Sequence, residues 1–103
     1  MGRRFNRATV ACLRGMHGED ALALLAIYLK ADPTYKPIKD MTSRRWHLRT
    51  ACGEFEILTS GAKWYDTRAK KGGGGAIDLT MHVGELSFVD AVKFLQERTR
   101  ARG

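Results

Sequence analysis

Arg44-Arg45-Trp46-His47-Leu48-Arg49-Thr50, Ala51-Cys52-Gly53 and Glu54-Phe55-Glu56-Ile57-Leu58-Thr59 form the stretch whose reading decides the fold. Trp46, Leu48 and Thr50 alternate with Arg45, His47 and Arg49, while Phe55, Ile57 and Thr59 alternate with Glu54, Glu56 and Leu58. A period of two puts each set on one face of a strand. The short Ala51-Cys52-Gly53 link predicts a hairpin. Ser60-Gly61 is a second turn signal, and Lys63-Trp64-Tyr65-Asp66-Thr67 reads as a third strand of an antiparallel meander. A sheet this small is marginal in water unless its apolar face is covered.

The cover is expected from helices on either side. Over residues 19–30, Ala21, Leu22, Leu25, Tyr28 and Leu29 fall at helical spacing, with Glu19 and Asp20 at the positive end of the helix dipole. Asp32-Pro33 ends that helix, and Ala31 to Ser43 is expected to be an extended or turning connection. Downstream, Ala76 to Val83 reads as a helix broken at Gly84. Ser87 then caps a last helix to about Arg98, with Phe88, Ala91, Val92 and Leu95 on one face. The prediction is α+β: a three-stranded antiparallel sheet packed against one N-terminal and two C-terminal helices. Its core would hold Trp46, Leu48, Phe55, Ile57 and the helices over 19–30 and 88–98. Residues 1–18, with Arg3, Arg4, Arg7 and Arg14, form a basic arm or short helix; 19–98 form one domain; 99–103 form a fraying basic tail.

The chain has 103 residues, 44% hydrophobic and 28% charged, which suits one folded domain rather than a disordered polyelectrolyte. Its longest apolar stretch, Ala21 to Leu29, is about half of the roughly 20 residues that span a bilayer. No secretory h-region follows the N-terminal arginines, so a cytoplasmic protein without a membrane partner is expected. Lys and Arg outnumber Asp and Glu by 18 to 11, a formal charge of +7 that favours polyanions.

Cys12 and Cys52 lie far apart, and with His17, His47 and His82 they form no Cys-x-x-Cys or His-x-x-x-His cluster, so neither a metal nor another cofactor is expected. Ser43, Ser60 and Ser87 sit at turns or a cap, and the carboxylates are scattered, so no catalytic residues are assigned and the chain is not expected to be an enzyme. Lys70-Lys71-Gly72-Gly73-Gly74-Gly75-Ala76 leads into a helix without a P-loop ending. Such a run is either a flexible connector or a place where free N–H groups meet a phosphate. Arg44, Arg45, Arg49, Lys63, Arg68, Lys70 and Lys71 lie on or beside the expected sheet, interleaved with Trp46, Trp64 and Tyr65. Basic groups with aromatics on a sheet suit single-stranded nucleic acid. The alternative is that the tryptophans are core and the charges a solvated face; Trp46, in phase with Leu48, is assigned to the core. Trp64 and Tyr65 point to opposite faces, so one is the more exposed.

Trp64-Tyr65-Asp66-Thr67, Gly72-Gly73-Gly74-Gly75-Ala76-Ile77-Asp78-Leu79 and Leu86-Ser87-Phe88-Val89-Asp90-Ala91-Val92 together resemble the second half of the zinc-binding domain of bacterial DNA primases, most closely in its plasmid and mobile-element versions. The resemblance runs over residues 26 to 97 and is strongest from Trp64 to Leu95. Where the family has Cys-Pro-x-His this chain has Lys36-Pro37-Ile38-Lys39-Asp40, and where it has a cysteine pair this chain has Asp66-Thr67-Arg68. The resemblance therefore implies a zinc-ribbon-like scaffold that holds without metal. It also implies a replication or conjugation role beside a primase, helicase or relaxase, with single-stranded DNA a better ligand than duplex. The expected contact set is Arg44, Arg45, Arg49, Lys63, Trp64, Tyr65, Arg68, Lys70, Lys71, Gly72, Gly73 and Gly74, with Arg68, Lys70 and Lys71 foremost. The competing class is a protein-interaction adaptor docking on a replication enzyme, which a mostly neutral sheet face would favour.

Overall fold

The computed structural model describes residues 7–37 and 41–102, with side chains to Thr99. Arg3 and Arg4 of the basic arm, and Ile38-Lys39-Asp40, lie outside the described residues.

The fold is α+β. Among the described residues the order is α1 (Arg7–Arg14), α2 (Gly18–Leu25), β1 (Tyr28–Ala31), β2 (Arg44–Thr50), β3 (Gly53–Ser60), β4 (Lys63–Asp66), β5 (Lys71–Gly73), α3 (Ala76–Gly84) and α4 (Phe88–Arg102). The strands form one open antiparallel sheet in chain order. The central hairpin pairs Trp46 with Ile57 and Leu48 with Phe55, and closes at Thr50 opposite Gly53. The next closes at Ser60 opposite Lys63, where Gly61 takes a left-handed φ of 59°. No helix among the described residues is long and apolar enough to cross a membrane.

Two strands replace expected loop or helix. The helix expected over 19–30 stops at Leu25: Ala26 is already extended, and the Ile27 N–H donates to the Arg49 carbonyl at 2.7 Å. Tyr28 and Leu29 therefore belong to β1 on the outer edge of β2, where aromatic and branched residues fit a pleated surface better than a helix end. At the other edge, Lys71-Gly72-Gly73 is not a connector but β5, paired with Asp66, Tyr65 and Trp64. The sheet has five strands rather than three. Helix α4 extends to Arg102, beyond the expected end near Arg98.

The core lies between the sheet and the helices. Leu48, Ile57 and Trp64 from the sheet meet Leu13, Leu22, Ile77, Leu79, Val83, Ala91, Val92 and Leu95. Helix α3 is its centre, with Ala76, Ile77, Leu79, Thr80 and Val83 all buried. A helix apolar on most sides is one enclosed by neighbours, and α3 packs on α1, α2, α4 and β5. Trp46 and Phe55 sit at the margin of this core. Phe88, expected on the buried face of α4, is 36% exposed, and the buried stripe is Ala91, Val92 and Leu95. The Ser87 hydroxyl caps α4 by accepting the Asp90 N–H at 3.1 Å. Thr50 fastens sheet to helix by donating to the Val83 carbonyl at 3.0 Å while accepting the Cys52 N–H at the same distance.

Candidate nucleic-acid interface

The turn between β4 and β5 is built on Asp66, which is almost completely buried. One carboxylate oxygen accepts the backbone N–H groups of Arg68 at 2.9 Å and Ala69 at 3.0 Å. The Asp66 carbonyl accepts the Lys70 N–H at 2.8 Å, and Lys70 takes a left-handed φ of 56°. The second carboxylate oxygen lies 2.6 Å from His82 Nε2 on α3. Burial pushes the Asp66 carboxyl up, but the Ala69 N–H, His82 and the Arg68 N–H together outweigh it and hold the group below the ordinary aspartate value. The ionised carboxylate only accepts, so His82 donates through Nε2. The His82 ring in turn stacks on Trp64, with centroids 5.1 Å apart, and meets Phe55 edge-on. An anion, an imidazole and two aromatic rings therefore pin the turn to α3.

This scaffold turns Arg68, Lys70 and Lys71 outward; all three are exposed, and none has a carboxylate partner among the described residues. Tyr65, on the open face of β4, is 42% exposed. Trp64 faces the other way: it is buried under His82 and offers no surface for a base, contrary to its expected place in the interface.

The glycines serve packing. A Cβ on Gly73 would stand 2.8 Å from Trp64 Nε1 and 3.0 Å from two of its ring carbons, and a Cβ on Gly75 would stand 3.2 Å from the Arg14 carbonyl oxygen. Trp64 Nε1, beneath β5, is a buried donor without a hydrogen-bond partner among the described residues. With Arg14 carbonyl against Gly75, the end of α1 covers the start of α3, which leaves no open phosphate cradle there. Gly72 and Gly73 belong to β5, and Gly74 alone of the three expected contact glycines has open space around it.

The rest of the expected basic surface divides. Arg44 and Lys63 are exposed at the far end of the strands, near the β3–β4 turn. Arg45 and Arg49, on the open face, are engaged. Arg45 donates to Asp32 at 2.8 and 2.9 Å, lies 3.6 Å from Glu56, and stacks its guanidinium over the Tyr35 ring. Arg49 pairs with Glu54 at 2.9 Å. His47 bonds the same Asp32 oxygen at 3.1 Å. The Asp32 carboxyl is held far below its ordinary value, first by the Thr34 hydroxyl and N–H, then by His47 and Arg45.

Asp32, His47 and Glu56 bring three possible ligand atoms within 4.8 Å of one another, a grouping that sequence spacing did not reveal. His47 on β2, Glu56 opposite it on β3 and Asp32 just past the end of β1 make it, so only the pairing register could have exposed it. The Arg45 guanidinium lies against both carboxylates, so an internal cation offsets one of the two negative charges a metal would otherwise meet.

No protein-family model and no solved structure matches the chain. A "65 kDa protein" of Zymomonas mobilis subsp. mobilis is similar to it, with 46% identity over 44 residues, 43% of this chain and 8% of that protein. The chain thus spans less than a tenth of the length of the curated relative it matches.

Proposed function

We propose that this domain is a non-catalytic, cytoplasmic accessory module that contacts single-stranded DNA through the β4–β5 turn, for a primase, helicase or relaxase of a plasmid or other mobile element. The observation that carries the reading is the Asp66-anchored turn, which presents Arg68 and Lys70 without an ion-pair partner among the described residues, with Lys71 exposed on the helix side of β5 and the Tyr65 ring exposed on the open face of β4. A fixed turn keeps its cations in one geometry, so little order is lost when phosphates arrive. The resemblance to primase zinc-binding domains supports the choice of partner. In a metal-free version of that scaffold, Asp66 and His82 do the work of holding the turn.

The paired open face favours one second reading, a protein-interaction adaptor. Arg45 and Arg49 are neutralised in place, and Phe88 and Val89 are exposed at the start of α4. Titrating labelled single-stranded and duplex DNA at several salt concentrations separates the two. The template reading expects single-strand preference and a Kd that weakens with salt. Each lost phosphate contact on a single strand lowers the salt slope by about 0.7, so Arg68→Ala/Lys70→Ala/Lys71→Ala should lower it by about 2. Absence of DNA binding at moderate salt would leave the adaptor reading.

A further inference from the structure

The Arg68 end of the basic turn does not stand alone. It lines a pocket of about 110 Å³ with Tyr28, His47, Leu48, Arg49, Glu54 and Phe55, where β1, β2 and β3 meet the turn. This volume is well below the roughly 300 Å³ at which pockets begin to enclose a whole small molecule. It suits one group projecting from a longer chain. Its chemistry is two guanidiniums against one carboxylate, beside a tyrosine ring that is 52% exposed although it sits in a sheet. The Arg49–Glu54 pair has both side chains more than half exposed, so it is weak and can exchange for a phosphate. By register, Tyr28, Arg49 and Glu54 lie in one row across the open face.

We infer that this pocket is a single-nucleotide subsite for single-stranded DNA, in which one base stacks on Tyr28 while adjacent phosphates pair with Arg49 and Arg68. The inference rests on the proposed role of the basic turn and extends it across the sheet: the strand would leave Lys70, pass Arg68 and lay a base on the outermost strand. An exposed aromatic ring accepts any base, because every base has a π-face, so the subsite adds affinity without sequence preference.

The test uses two probes of equal length, a short oligothymidylate and an abasic deoxyribose-phosphate chain, titrated by fluorescence anisotropy. Tyr28→Ala should weaken the oligothymidylate by about fivefold or more, the lower end of what one base–aromatic stack contributes, and leave the abasic chain unchanged. Tyr28→Phe keeps the ring and should bind both probes as the parent does, while Arg68→Ala should weaken both. Far-UV circular dichroism checks that the variants keep their sheet. Equal binding of oligothymidylate by Tyr28→Ala and the parent would overturn the subsite, and so would an equal loss on both probes. If Arg68→Ala/Lys70→Ala/Lys71→Ala still loses affinity in that case, the basic-turn reading survives without the subsite. A parent protein that binds neither probe ends both.

Discussion

Replacing Asp66 by alanine removes the acceptor for two backbone N–H groups and the partner of a half-buried histidine in a single step. Hydrogen bonds to a charged group contribute about 1.5–3 kcal/mol each. The bonds from Arg68, Ala69 and His82 share one carboxylate and overlap, so the expected loss is about 3–5 kcal/mol rather than their full sum. For a domain of this size that lowers Tm by about 12 °C or more. Asp66→Asn keeps an oxygen for the two N–H groups but not the charge, and should lose about 1–2 kcal/mol.

Urea unfolding followed by tryptophan fluorescence reads both variants, since Trp64 lies against His82. The pH dependence gives a second measure. The folded carboxyl lies below its ordinary 3.8, so at low pH the unfolded chain takes up the proton first. The stabilisation is complete above about pH 5 and is lost as pH falls through the lowered folded value. That acid-side loss should shrink in Asp66→Asn, with Asp32 supplying the remainder. A loss under about 1 kcal/mol in Asp66→Ala at pH 7 would refute the idea that the carboxylate organises the turn.

Other substitutions probe the remaining contacts. Gly73→Ala forces a methyl group against the Trp64 indole and should cost about 1–3 kcal/mol, read as a lowered Tm; an unchanged Tm would mean that β5 can lift away freely. Thr50→Val keeps the shape but leaves the Val83 carbonyl and the Cys52 N–H without their hydroxyl partner, and should cost about 1–2 kcal/mol in urea unfolding. Neither added zinc nor a chelator should move the Tm of the unaltered protein, because the Arg45 guanidinium already occupies Asp32 and Glu56; a rise of several degrees with zinc would show that the guanidinium yields its place.

Much of this architecture could be read from residue periods. The hairpin of β2 and β3 follows from strict alternation, and the α3–α4 break from the Gly84 region and the Ser87 cap. Strand β1 was hidden because the apolar run from Ala21 to Leu29 has no glycine or proline between its helical and extended halves. Strand β5 was hidden because Lys71-Gly72-Gly73 has no intrinsic strand preference. Its place depends on how closely backbone can approach Trp64 and Tyr65, a tertiary condition. At the interface, Arg68, Lys70 and Lys71 were legible as basic groups near a turn, while the sequence left open which of Trp64 and Tyr65 is exposed. The capture of Arg45 and Arg49 was not, since partners on adjacent strands appear only when register is known. Tyr28 was misplaced with the helix, and the Asp66–His82 contact joins residues far apart in the chain.

The helical layer has a bearing on the order of folding. Every strand pairing joins chain neighbours, yet the helices over the sheet come from both sides of it: α1 and α2 precede it, and α3 touches both from beyond its last strand. Hairpins of this kind close in about 1–10 μs but are scarcely stable alone. During synthesis the meander can therefore pair early and open again, because the residues that seal its apolar face, Ile77, Leu79 and Val83, are made after it. Commitment to the native state comes with the docking of α3. A chain shortened before Ala76 should keep every strand and still remain unfolded.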